Sequence, residues 1–99
     1  MATLGFPRPE LNVWLRLGDH WIKADCLWRE QRLIVELDSR THHHTVRAFE
    51  RDRDRDRRAL VAGWSTIRVT WRMLDLQSGE LERDLTRLLS ARTPQPLAA

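Results

Sequence analysis

Two carboxylates stand at alternate positions where an apolar segment ends, in the stretch LIVELD. On a strand, Glu36 and Asp38 share one face and lie about 6 to 7 Å apart, because side chains alternate. Like charges at that spacing are costly unless a cation lies between them. Hard divalent ions take oxygen ligands, so the pattern indicates a Mg²⁺ or Mn²⁺ site. Charged residues also occur at strand ends without a metal, so the spacing alone leaves both interpretations open.

A third acid belongs to the preceding apolar segment, WIKADCL. Asp25 shares a strand face with Trp21 and Lys23 if this segment is extended. The polar bend REQR separates it from LIVELD, so the two segments can pair in the antiparallel direction. That pairing brings Asp25 beside the end of the next strand. We therefore predict that Asp25, Glu36 and Asp38 form the metal site.

The elements that position these acids follow from the periodicity of apolar residues. Period two predicts strands over 11–17, 20–28, 33–38 and 64–71. Thr45 can cap a helix over 46–62 that Gly63 ends, and Ser78 can cap a last helix whose stripe is Leu81, Leu85, Leu88 and Leu89. The predicted fold is α/β, a four-stranded mixed sheet with the order β-β-β-α-β-α. We expect an extended N-terminal segment over 1–10, one domain over 11–91 and a flexible C-terminal tail over 92–99.

The segment RDRDRDRR resembles low-complexity sequence, but helical projection sorts its charges. At about 100° per residue, one face carries Phe49, Asp52, Arg53, Asp56, Leu60 and Gly63. Charges on a core-facing stripe need partners, so the acids and the arginine of this stripe form a structural ion network or edge the active site. We also expect the five Trp residues to fill much of the core.

Composition narrows the class of protein. The 99 residues carry 17 Lys and Arg against 14 Asp and Glu, and every one of those cations except Lys23 is Arg. Arginine suits phosphate groups, although a GC-rich coding sequence produces the same bias. The single cysteine, Cys26, excludes an intrachain disulfide and is expected to pack in the core. No apolar segment approaches the roughly 20 residues of a membrane span, so we expect a cytoplasmic protein with no membrane contact.

Several short motifs occur in a specific order between Ala24 and Trp71. They are an Asp after an extended segment, E-L-D, a His five residues after the second acid, FERDRDRD, G-W and R-V-T-W. In this order and spacing they resemble a bacterial domain-of-unknown-function family related to the very-short-patch-repair endonucleases, within the PD-(D/E)XK nuclease superfamily. The matching positions are Asp25, Glu36, Asp38, His43, Phe49 to Asp52, Arg55, Asp56, Gly63, Trp64 and Arg68 to Trp71.

The resemblance implies a restriction-endonuclease-like core and Mg²⁺-dependent (or Mn²⁺-dependent) hydrolysis of DNA phosphodiester bonds. It implies that Asp25 with Glu36 or Asp38 holds the ion and that His43 assists proton transfer. Lys23, Arg40 and Arg68 are further candidates for phosphate contacts. DNA is the expected partner.

Two departures from the family pattern leave an alternative open. Ser39 stands where the family usually has Gly, and residues 1–10 offer no counterpart to a helix that carries a Glu in the family, so weak activity is expected. The alternative is a catalytically inactive module of the same fold that binds nucleic acid or protein, similar to domains associated with toxin–antitoxin regulators. A zinc site at His42, His43 and His44 is disfavoured, since three adjacent residues cannot all face one ion. Monomer and homodimer both remain open.

Overall fold

The computed structural model of the chain describes residues 6–38 and 45–92. Its elements in chain order are β1 (Glu10–Leu17), β2 (His20–Trp28), β3 (Leu33–Asp38), α1 (Val46–Val61), β4 (Ser65–Thr70), α2 (Trp71–Leu76) and α3 (Ser78–Arg92). In the parts of the chain that the structure describes, no helix is long and apolar enough to cross a membrane.

The strands form one sheet in the order β1-β2-β3-β4. β1 pairs with β2 and β2 with β3 in the antiparallel direction, whereas β3 and β4 are parallel. Gly18, at φ 60°, occupies the tight turn between β1 and β2, where a residue without Cβ is favoured. The parallel pair requires a crossover, which α1 provides. The predicted α/β class with a four-stranded mixed sheet is confirmed.

The ends of α1 follow the predicted capping residues. The Thr45 hydroxyl accepts a hydrogen bond from the Ala48 N–H at 3.0 Å, and Gly63 adopts φ 93° just beyond the last turn. The six-residue helix α2 was not predicted. Its N-cap is Thr70, whose hydroxyl accepts from the Met73 N–H at 3.1 Å. The alternation of β4 continues in the sequence into Trp71, so periodicity alone does not reveal where the strand ends.

The core consists of two clusters of buried side chains to which β3 contributes on both faces. The first contains Ile34 together with Ala59 of α1, Trp64 and aliphatic residues of β1 and β2. The second contains Leu33 and Val35, packed by Leu85 and Leu89 of α3. Because side chains alternate along a strand, α1 and α3 cover opposite faces of β3. The predicted leucine stripe of the last helix is confirmed, since Leu81 and Leu88 also pack against this second cluster.

The expectation that all five Trp residues fill the core is wrong for three of them. Trp28 and Trp64 are each only 6% exposed, but Trp14 and Trp21 are both 60% exposed and Trp71 is 56% exposed. The ladder between β2 and β3 runs over Cys26–Trp28. Trp14 and Trp21 alternate along the β1–β2 hairpin with buried residues such as Leu15 and Ile22, so they lie on its other, exposed face. Trp71 begins the short helix α2.

The predicted inward face of α1 is wrong for its apolar residues, although Asp52 and Asp56 of that face are half-buried. Phe49 and Leu60 are 46% and 68% exposed, whereas Ala59 is 1% exposed. The face toward the sheet includes residues that are buried or half-buried at helical spacing, namely Ala48, Asp52, Arg55, Asp56, Ala59 and Ala62. Small alanines let the helix backbone approach the sheet, and the Arg53 guanidinium covers Phe49 at the surface, 4.8 Å from its ring centroid.

The burial of Ala59 and the exposure of Leu60 predict how substitutions on α1 affect stability. Ala59→Leu should lower the free energy of unfolding by about 1 to 3 kcal/mol, because a larger side chain overpacks the interface between α1 and the sheet. Leu60→Ala, at the adjacent exposed position, should change it by less than about 0.5 kcal/mol. Urea denaturation of both variants measures the difference. A larger loss of stability from Leu60→Ala than from Ala59→Leu would mean that Leu60 faces the sheet, as the sequence predicts.

Candidate functional site

The register between β2 and β3 brings two of the predicted acids together. The ladder between these strands ends where Cys26 pairs with Val35, and Asp25 and Glu36 are the next residues on the two strands. The Asp25 N–H donates to Glu36 Oε2 at 3.3 Å, and the Leu37 N–H donates to Asp25 Oδ2 at 2.8 Å. Each carboxylate is therefore oriented by the backbone of the neighbouring strand.

Glu36 is a buried carboxylate whose main partner comes from α1. Its side chain is 7% exposed and forms an ion pair with Arg55 Nη2, which also donates to the Lys23 carbonyl oxygen at 2.7 Å. Burial raises the pKa of the Glu36 carboxyl above its ordinary value, and the nearby Asp25 charge adds to that rise. The Arg55 guanidinium and the Asp25 N–H act in the opposite direction and favour the ionised form.

A second set of ion pairs joins α1 to β4. The parallel register places Arg68 beside Glu36. Two nitrogens of Arg68 contact the two carboxylate oxygens of Asp56 at 2.8 and 3.1 Å, and a third nitrogen lies 3.7 Å from Asp52. The nearest nitrogen of Arg53 lies 3.7 Å from Asp56, which is a longer contact, and the Arg53 side chain is half exposed. The structure thus gathers Asp52 and Asp56 around Arg68, with Arg53 at the margin.

These groups open onto one cleft of about 270 Å³, which we call the acidic cleft. It is lined by Lys23, Asp25, Glu36, Leu37, Asp38, Asp52, Arg55 and Arg68. Four carboxylates stand against three cations, which leaves one negative charge in excess. The excess negative charge attracts a cation. An anionic phosphate group is favoured only after a bound metal ion has neutralised that charge.

Most of the site residues predicted from the sequence lie at this cleft. Asp25, Glu36, Asp38, Lys23, Asp52 and Arg68 line it, while Arg53 and Asp56 lie behind it. His43 and Arg40 lie outside the described residues. Sequence reasoning assigned no site role to Arg55, which is the partner of Glu36. The helical spacing of Ala48, Ala59 and Ala62 was the available signal, because a stripe of alanines toward the sheet turns Arg55 inward.

Among residues 6–38 and 45–92, no three His, Cys, Asp or Glu side chains form a group placed to hold a metal ion. Arg55 accounts for part of this, because its guanidinium engages the Glu36 carboxylate directly. Cys26 is half-buried next to Asp25, and burial raises the pKa of its thiol, with the charges of Asp25 and Glu36 adding to the rise. The thiol therefore stays protonated at neutral pH and is not a reactive thiolate.

Comparison with known proteins does not identify a family. No family model, no curated protein and no solved structure matches the chain.

Proposed function

We propose that the acidic cleft is the active site of a Mg²⁺-dependent (or Mn²⁺-dependent) endonuclease that hydrolyses DNA phosphodiester bonds, on a restriction-endonuclease-like core. The observation that carries the proposal is that Asp25 and Glu36, from two neighbouring strands, lie together in a cleft that Asp38 also lines. The Glu36 carboxylate accepts from the Asp25 N–H, and the Asp25 carboxylate accepts from the N–H of Leu37, the residue after Glu36.

The donor set suits a hard divalent cation. Mg²⁺ takes oxygen ligands, keeps several waters, and is usually bound through one or two carboxylates together with substrate phosphates. Asp25 and Glu36 supply two neighbouring carboxylates, and we assign to Asp38, which lines the same cleft, a further oxygen ligand of the ion. Bound Mg²⁺ supplies a water of lowered pKa and stabilises the charge that develops on the phosphate.

The other residues of the cleft position these acids and the substrate. The Leu37 N–H orients Asp25, and Arg55 keeps Glu36 ionised in its buried position. Lys23 is exposed at the rim and is the residue of the described chain that we assign to a phosphate oxygen. Arg68 is engaged by Asp56 and Asp52, so we assign it to holding α1 against β4. His43 remains our candidate for proton transfer.

Metal-dependent stabilisation tests the proposal directly. We expect Mg²⁺ or Mn²⁺ to raise the melting temperature of the parent chain by several degrees, because a metal at ten times its Kd stabilises the folded state by about 1.4 kcal/mol. Asp38→Asn should remove the shift. Asp54→Asn is the matched control, since Asp54 lies on the outer side of α1, paired with Arg57 at 3.0 Å.

One observation favours a second candidate function. Glu36 and Arg68 both have partners of opposite charge within the chain, so the charged cluster is stable without a metal. Such internal pairing is expected of a catalytically inactive module that keeps the fold and binds nucleic acid or protein. If neither metal shifts the melting temperature of the parent at millimolar concentration, this second function replaces the first.

A further inference from the structure

A second cleft adjoins the acidic cleft and has the opposite chemistry. It lies between the β1–β2 hairpin and α1, has a volume of about 290 Å³, and shares Lys23 and Arg55 with the acidic cleft. Its lining includes four cations, Lys23, Arg51, Arg55 and Arg58, and no carboxylate. We call it the aromatic groove, because two indole rings form its hairpin side.

The two rings are close neighbours on the hairpin. Trp14 pairs with Lys23 across the β1–β2 ladder, and Trp21 stands two residues before Lys23, so the indoles are diagonal neighbours on one face. Diagonal positions are about 7 to 8 Å apart, within reach of aromatic side chains. Both residues are 60% exposed, so the pair leaves apolar area in contact with water that a ligand could cover.

The charge of the groove selects a polyanion as its ligand. Arg55 already pairs with Glu36, so Lys23, Arg51 and Arg58 supply the charge that faces a ligand. Within the part of the chain that the structure describes, Arg51 and Arg58 form no ion pair, whereas Arg57 on the same helix pairs with Asp54 at 3.0 Å. An acid-free groove with three available cations and two exposed indoles matches a chain of phosphates that carries aromatic bases.

We propose that the aromatic groove binds single-stranded nucleic acid, with unpaired bases stacked on Trp14 and Trp21 and phosphates on Arg51, Arg58 and Lys23. In a duplex the faces of the bases are already stacked on one another, so exposed indoles gain most from unpaired bases. Because the two clefts share Lys23 and Arg55, a strand in the groove delivers a phosphate to the acidic cleft. This last step rests on the proposed function, but the binding does not.

The binding test uses the full chain, EDTA and fluorescence anisotropy of a labelled oligonucleotide. We expect a single strand to bind at least about 10-fold more tightly than the matching duplex at the same salt concentration, since stacking on unpaired bases adds to the phosphate contacts. Trp14→Ala and Trp21→Ala should each weaken single-strand binding by roughly 5- to 150-fold. Trp71→Ala, which removes an equally exposed indole from α2, is the control and should leave the affinity unchanged.

Two further arms separate stacking from charge. Abasic sites in the oligonucleotide should weaken binding by the parent but not by the Trp14→Ala/Trp21→Ala double variant. Arg51→Gln and Arg58→Gln should each reduce the slope of log K against log salt by about 0.7, the value for one phosphate of a single strand, while Arg57→Gln leaves it unchanged. DNA and RNA strands of the same sequence show which sugar the groove accepts, and tight binding of either supports the proposal.

The outcomes also separate this proposal from the proposed function. Equal affinity for duplex and single strand, or unchanged affinity in the Trp14→Ala/Trp21→Ala double variant, overturns the groove and leaves the metal-dependent shift of melting temperature untouched. Conversely, if the chain binds single strands in EDTA but shows no metal-dependent stabilisation, the proposal for the aromatic groove stands and the proposed nuclease activity is overturned. Both tryptophans are exposed, so both variants should keep the parental melting temperature, and lost binding is then not a folding defect.

Discussion

Asp25→Asn and Asp38→Asn should each reduce Mg²⁺-dependent cleavage of DNA by at least about 1000-fold. A metal ion contributes several kcal/mol to stabilising the transition state of phosphoryl transfer, and each step of about 1.4 kcal/mol is a tenfold change in rate. An amide has nearly the shape of the carboxylate but lacks the charge that holds the ion. Initial rates on single-stranded and duplex DNA, measured with and without Mg²⁺, give the comparison.

The fold of the Asp25→Asn variant should survive, which makes the loss of activity interpretable. The amide oxygen of Asn can still accept the hydrogen bond from the Leu37 N–H, and removal of the Asp25 charge relieves its repulsion of Glu36. Its melting temperature without metal should therefore equal or exceed that of the parent. Asp54→Asn should cleave like the parent. Parental cleavage by Asp25→Asn would remove this acid from the site and, with it, the main argument for a nuclease.

The pairing of Asp25 with Glu36 was predictable because it depends on local features of the sequence. Alternation within LIVELD sets the face of Glu36, and the short bend after WIKADCL sets the register that brings Asp25 beside it. β2 and β3 have the predicted bounds for the same reason. The parallel neighbour β4 follows from the helical segment that precedes it, since a crossover of that length returns the chain to the same sheet.

The partner of Glu36 was not predictable, because it depends on how α1 rests against the sheet. Hydrophobicity favours Phe49 and Leu60 as the inward residues, yet both are exposed and Ala59 is buried. Close approach of the helix backbone, made possible by alanine, decides the phase and turns Arg55 toward Glu36. Patterns of apolar residues do not carry that information when the inward face is small and charged.

The exposed tryptophans illustrate the same limit on a strand. Trp14 and Trp21 lie on a hairpin with clear alternation, but packing covers the face that carries Leu15 and Ile22 and leaves the face of the indoles exposed. Burial of a large aromatic is a good expectation where a second layer exists, and the extent of that layer is a tertiary property. That Arg51 and Arg58 line a groove with these rings likewise depends on how α1 lies beside the hairpin.

Arg55→Gln should lower the free energy of unfolding by about 3 kcal/mol or more at neutral pH. The substitution leaves the Glu36 carboxylate, 7% exposed, without the guanidinium that neutralises it, and breaking a buried pair from one side typically costs about 3 to 5 kcal/mol. Arg57→Gln is the matched control on the same helix. Its pair with Asp54 is largely exposed to solvent, so it should cost less than about 1 kcal/mol.

The loss caused by Arg55→Gln should depend on pH with a definite sign. Burial raises the pKa of Glu36, and Arg55 opposes that rise, so the substitution raises the pKa of the folded state further. A carboxyl whose pKa is raised by folding favours the folded state below its unfolded pKa, and this stabilisation is lost as the pH rises through the folded pKa. The loss of stability in Arg55→Gln relative to the parent should therefore shrink as the pH falls from neutral toward the pKa of the carboxyl in the unfolded chain.

Glu36→Gln introduced into Arg55→Gln should recover most of the loss at neutral pH and remove this pH dependence, because no charge is then left buried. Urea denaturation of the parent, both single variants and the double variant at acidic and neutral pH gives each difference. Equal losses from Arg55→Gln and Arg57→Gln at every pH would mean that Glu36 does not depend on Arg55 for its charge.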